Sequence, residues 1–197
     1  MMESAELVIA ADGGLAHCDW LDITPDQVVG DLDSASVDSV QRAELAGANV
    51  VRFPQDKDAT DLELAIGVAV DAGATSITVV AGFGGRLDHE LATIGLLVSP
   101  QWDHVAITAT DGQRQLWIVR DDLALSLDVG QTLSLIPWAG EVTAVTTTGL
   151  QWPLSNDVLP IGTTRGVSNV ASEPSQTVSI ASGTLLVVSD ARPGLGD

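Results

Sequence analysis

Residues 53–63 read FPQDKDATDLE and set Asp56, Asp58 and Asp61 around Lys57, the only lysine in the chain. Two more acidic junctions lie upstream: Asp12-Gly13-Gly14 after the apolar run 6–11, and Gly30-Asp31-Leu32-Asp33-Ser34 after Val28-Val29. If the second strand extends to Asp31, its two-residue alternation puts Asp31 and Asp33 on one face, and paired hard oxygens suit magnesium. A glycine turn is the plainer reading of the first junction, and a helix cap before the segment 36–46 is the rival reading of the second. Downstream, Gly82, Gly84 and Gly85 would let a backbone approach phosphate oxygens, and Arg86 supplies a fork-shaped donor. Asp88 can cap the helix that runs to about Val98; His89 could touch a ligand or sit exposed. Each motif taken alone has an ordinary alternative, a capped helix beside a solvated loop.

These side chains need elements to hold them. Thr60 and Glu63 stand in the S/T-x-x-E relation of a capping box, so a helix should start at Asp61. Leu62, Ala65, Ile66 and Ala69 give that helix one buried face. Residues 49–53 and 76–81 are short, β-branched and apolar, and both read as buried strands. A short helix within 15–27 precedes a loop carrying Pro25. Strand, loop and helix alternate through residue 98, the signature of a parallel sheet with crossover helices, whose ligands lie at the carboxyl ends of the strands. From residue 104 the pattern changes to short strand-like runs at 104–110, 115–120, 123–127, 132–137, 141–148, 177–180 and 185–189, with a hairpin at Asp111-Gly112. The expected fold class is α/β: an N-terminal Rossmann-like parallel-sheet domain over residues 1–115, then an all-β sandwich domain over 116–197. Trp138 and Trp152 are expected in the core.

Composition narrows the partners. At 197 residues, 45% hydrophobic and a mean hydropathy of +0.27, the chain can bury a sizeable core. A formal charge of -19 leaves no basic patch for nucleic acid or an anionic membrane, so neither is expected as a partner. A polyphosphate would need metal ions and aimed backbone amides. Cys18 stands alone, which rules out an intrachain disulfide and fits a reducing compartment. With no basic leader followed by an apolar run, and no stretch of membrane-spanning length, a cytoplasmic location is expected.

Four pieces in order, ADGG at 11–14, GDLDS at 30–34, FPQDKDATDLELAI at 53–66 and GFGGRLDHELATIGLL at 82–97, closely resemble thiamine pyrophosphokinases, as do SLIPWAGEV, TGLQWPL and GVSN in the β-rich tail. The resemblance covers nearly the whole chain. It implies an ATP-binding α/β domain followed by a β-sandwich, transfer of diphosphate from ATP to the hydroxyl of thiamine, and release of AMP. It also implies a homodimer with thiamine at the interface, between the acidic loops of one subunit and the β-domain of its mate. Asp31, Asp33 and Asp61 match the family's Mg2+ acids, with Asp58 beside them. Lys57 and Arg86 would stabilise charge on the moving oxygens, and Gly82, Gly84, Gly85, Asp88 and His89 fall in the nucleotide segment. Asp12 and Gly13, and Ser168 and Asn169 of GVSN, match positions that face thiamine. Two departures stand out: family members usually begin one strand earlier, and Thr93 replaces a frequent asparagine. The alternatives from other classes are a non-catalytic thiamine or nucleotide sensor and a metal-dependent phosphotransferase acting on another alcohol.

Overall fold

The computed structural model describes residues 5–190. The described chain divides between Ile77 and Thr78 into two compact units. In the first unit, β1 (Ile9–Ala11), β2 (Gln27–Gly30) and β3 (Asn49–Arg52) form a parallel sheet in that order. Ala11 faces Val29, and Gly30 faces Arg52, so all three strands end at one edge. Each is followed by a helix: α1 (Gly14–Trp20), α2 (Val37–Leu45) and α3 (Asp61–Asp71). The central strand is buried, with Val28 and Val29 fully enclosed. Val28 joins Ala10, Leu15, Cys18, Val40 and Ala43 in one core, while α3 lies against β1 and β2 and buries Ala65 and Ile66. Thr60 caps α3 as expected, its hydroxyl accepting from the Glu63 N–H at 3.2 Å.

Two strands are less covered than their composition suggests. β3 is an edge strand with Asn49 and Arg52 exposed and its valines half-buried. In β4 (Ser76–Val80), only Val79 is buried and Val80 is 42% exposed. β-Branched content reports compatibility with a pleated surface, not the number of layers covering it.

β4 opens the second sheet. The Thr78 and Thr108 hydroxyls meet at 3.1 Å, and the Ala81 N–H donates to the Thr110 carbonyl at 2.7 Å. The order of these contacts means that β4 and β5 (Ala106–Thr110) run the same way, with α4 (Leu87–Leu97) crossing between them. The turn at Asp111-Gly112 then returns the chain as β6 (Arg114–Val119), antiparallel to β5. Further strands are β7 (Asp122–Leu125), β8 (Thr132–Thr148), β9 (Asp157–Leu159), β10 (Asn169–Val170), β11 (Gln176–Ser179) and β12 (Ser182–Asp190). Pairing runs β4-β5-β6-β12-β8-β11-β7, with β9 and β10 also on β8, making one nine-stranded sheet that curls over its core. That core includes Leu133, Leu135, Val142, Val145, Leu159, Leu185 and Val187.

The two strands expected at 132–137 and 141–148 are a single 17-residue strand, β8. Ala139, Gly140 and Ala144 take positive φ within it, so the strand bends without ending. The short β9 and β10 lacked a legible pattern; each consists of only a few residues paired to β8.

Candidate active site

The parallel register brings the three acidic segments to one edge. Asp12 follows β1, and its N–H continues the ladder to the Val29 carbonyl at 2.8 Å. Asp31 and Asp33 follow β2, while Lys57 lies in the connection from β3 to α3 and Asp61 opens α3. One carboxylate oxygen from each of Asp12, Asp31 and Asp33 falls within 4.8 Å of the other two. The expected strand alternation does not produce this. β2 stops at Gly30, Leu32 turns left-handed at φ 63°, and the Asp33 N–H donates to Asp31 Oδ1 at 3.2 Å. A side-chain-closed turn thus brings the two carboxylates together.

Neighbouring groups aim the oxygens. Ser34 donates its N–H to Asp12 Oδ1 at 3.4 Å and its hydroxyl to Asp33 Oδ1 at 3.1 Å. Gln55 Nε2 donates to Asp33 Oδ2 at 3.1 Å. Lys57 Nζ lies 3.3 Å from Asp31 Oδ2 and 3.0 Å from Asp61 Oδ1, with both ion pairs largely withdrawn from water. Asp61 Oδ1 is buried and meets the ammonium without hydrogen-bond alignment. The Asp33 amide, and after it Lys57, holds the Asp31 carboxyl below the usual carboxylate range, against partial desolvation. Asp61, and then Asp31, holds the Lys57 ammonium above the ordinary lysine value.

Gly30 makes this convergence possible. Its φ is 147°, and a Cβ there would stand 2.9 Å from Asp61 Oδ1 and 3.1 Å from Asp12 Cβ. The backbone of β2 therefore passes directly between two of the acids.

Of the three residues expected to form the cation set, Asp31 and Asp33 lie together with Asp12, and Asp61 stands outside that triplet, linked to Asp31 through Lys57. Position explains the difference: Asp12 and Asp31 are the first residues beyond two neighbouring parallel strands. Asp58 is exposed. Gly13 caps α1 without a side-chain bond. Gln55 and Ser34 add two orienting groups that no motif marks as functional; the sequence signal for them is a polar side chain flanking a cluster of acids.

The glycine loop of the second unit differs from expectation in detail. Arg86, not Asp88, occupies the N-cap of α4, and it offers no side-chain cap. Its guanidinium instead grips Asp88 through two bonds of 3.1 and 2.6 Å. That contact holds the Asp88 carboxyl below its ordinary value. The Gly84 N–H already donates to Glu90 Oε1 at 2.7 Å. Gly82 is partly covered, while Gly85 and His89 are exposed.

In the β-rich unit, Ser168 is left-handed at φ 59°, and its N–H donates to Ser134 Oγ at 3.1 Å. Asn169 is buried, and its amide hydrogen-bonds to the backbone. Nδ2 donates to the Trp152 carbonyl at 2.7 Å, and Oδ1 accepts from the Trp152 N–H at 3.1 Å and the Val170 N–H at 2.9 Å. The clasped Trp152 is 56% exposed, contrary to the expectation of a core residue, and Trp138 is only partly buried.

An oxygen-only donor set at the end of a parallel sheet can hold a hard divalent cation, and the buried, imperfectly matched Asp61 oxygen fits such a site. Residues 1–109 match the family model described as the catalytic domain of thiamin pyrophosphokinase, and residues 122–185 match its vitamin B1 binding domain. A thiamine pyrophosphokinase of Bacillus subtilis is 29% identical over 184 residues, spanning 92% of this chain and 86% of that one. Thiamine pyrophosphokinase 1 of Arabidopsis thaliana is 28% identical over 219 residues, spanning 99% and 82%. The crystal structure of the Bacillus subtilis thiamine pyrophosphokinase superposes with a TM-score of 0.85 at 27% identity, covering 97% of this chain and 91% of that one.

Proposed function

The chain belongs to the thiamin pyrophosphokinase family, and from that premise we infer that it moves the diphosphate of ATP onto the hydroxyl of thiamine, giving thiamine diphosphate and AMP. The observation that carries this reading is the meeting of Asp12, Asp31 and Asp33 beside the Lys57 bridge, where three parallel strands end.

Asp31 and Asp33 would hold Mg2+, with Asp12 as the third oxygen donor and Asp61 contributing through Oδ2, the oxygen that does not face Lys57. The metal would supply charge neutralisation on the phosphate oxygens, which a chain of formal charge -19 otherwise repels. Ser34 and Gln55 orient the acids before substrate arrives. Lys57 and Arg86 stabilise charge on the transferring oxygens, Arg86 after releasing Asp88. Gly82, Gly84 and Gly85 offer backbone amides to phosphate, with Asp88 and His89 at the start of the helix behind them. Asp12 and Gly13 lie toward thiamine, as does Ser168, while Asn169 acts through the Trp152 loop that it clasps. In-line attack by a primary hydroxyl needs alignment and neutralised charge more than covalent catalysis.

In this reading residues 1–115 are a Rossmann-like catalytic domain and 116–197 a sandwich that binds thiamine. Two chains pair with thiamine at their interface, and the protein works in the cytoplasm. No helix among the described residues is long and apolar enough to cross a membrane. The direct test is incubation with Mg-ATP and thiamine, followed by separation of the products. AMP and thiamine diphosphate should rise together. ADP as the only nucleotide product would contradict attack at the β-phosphorus, and ligand binding by calorimetry without turnover would favour a sensor.

A further inference from the structure

Lys57 is bound where a divalent cation would act. Its Nζ bridges Asp31 Oδ2 at 3.3 Å and Asp61 Oδ1 at 3.0 Å, and its side chain is only 14% exposed. Four other oxygens nearby accept from uncharged donors: Asp31 Oδ1 takes the Asp33 N–H, Asp33 Oδ1 and Oδ2 take Ser34 and Gln55, and Asp12 Oδ1 takes the Ser34 N–H. Those donors are uncharged, and a metal ion can be added beside them. The ammonium cannot be treated that way, because a second cation on Asp31 at short range would be repelled by it.

From this geometry we propose that Lys57 is an exchangeable counter-charge: it neutralises Asp31 and Asp61 while no metal is bound, and it leaves Asp31 when a divalent cation takes that carboxylate. The inference rests on the metal-binding reading above. Lys57 lies in the loop between β3 and α3, outside any helix or strand, on a flexible four-carbon stem, so it can swing without breaking backbone pairing. Asp61 is the first residue of α3 and does not move with it. The salt bridge to Asp61, four residues on, can therefore persist as a pivot while the one to Asp31 opens. Exchange of this kind keeps the acids from repelling one another before substrate binds. It also releases an ammonium toward phosphate only after the cation is seated.

The test uses metal alone, without nucleotide or thiamine. Mn2+ binding is measured by calorimetry and electron paramagnetic resonance on wild type and on Lys57→Met, which removes the charge and keeps much of the stem. The variant should bind Mn2+ at least ten-fold more tightly. Its metal-free melting temperature should be lower than that of wild type, with the gap narrowing at saturating Mg2+. Equal Mn2+ affinity in the two proteins overturns the exchange and leaves the metal site standing. Failure of both to bind Mn2+ overturns the metal site itself and the exchange with it. A second measurement needs no variant. As Lys57 is the only lysine, [13Cε]-lysine labelling yields one resonance, which should move as Mg2+ is titrated into wild type. A resonance that stays fixed through saturation of the metal site overturns the proposal.

Discussion

At the scale of single residues, a backbone position is as informative as the acids. Asp12 and Asp61 can flank β2 because residue 30 has no side chain. A Cβ would come within 2.9 Å of an oxygen buried against Lys57, and the φ of 147° would itself be strained for alanine. Gly30→Ala should therefore lower stability by about 1–3 kcal/mol, read by thermal melting. It should also displace the carboxylates enough to cut AMP release by about a hundred-fold. A variant with wild-type turnover would mean that the spacing of Asp12 and Asp61 is irrelevant to the reaction. Gly30 stands inside the quoted GDLDS motif, yet its role was hidden, because the crowding comes from residues 18 positions before it and 31 positions after it.

Among elements, the β5–β6 hairpin shows how local chemistry fixes a turn. Asp111 Oδ1 accepts the Gln113 and Arg114 N–H groups at 2.9 and 2.6 Å, and Oδ2 accepts Arg114 Nε at 2.8 Å. Partial burial pushes its carboxyl up, but these amides and the Arg114 guanidinium together hold it below the usual range. A depressed folded-state value means that the contribution is full above the unfolded carboxyl value near 4 and is lost as pH falls through the lower folded value. Asp111→Ala should cost about 1–2 kcal/mol at neutral pH. The difference in melting temperature from wild type should shrink on acidification below about pH 4. A constant difference across that range would assign the loss to packing instead.

For the whole molecule, large apolar side chains remain uncovered in the second unit. Val80, Leu87 and Leu91 are 42, 70 and 51% exposed, and Trp152, Val158 and Ile161 are 56, 46 and 63% exposed. Scattered exposed residues are ordinary, but Leu87 and Leu91 share one face of α4 and ask for a cover. In the proposed homodimer a second copy would supply it. Sedimentation equilibrium at micromolar concentration should return twice the 20.4 kDa chain mass. A monomer that still converts thiamine would refute an interfacial thiamine site.

What residue order determined by itself was whatever depends on near neighbours and on ordered motifs. The Thr60 cap, the start of α3 at Asp61, the Asp111-Gly112 hairpin and the strand-helix alternation follow from contacts or patterns within a few residues, and the family from the order of such motifs along the chain. Tertiary structure decided which oxygens meet. It placed Asp12 with Asp31 and Asp33, brought Lys57 across to Asp31, turned Asn169 inward onto Trp152, and carried β8 through its bend as one strand. The physical reason is that strand register, left-handed backbone positions and the steric room left by a glycine are set by parts of the chain far apart in sequence. No window along the sequence contains both sides of such a contact.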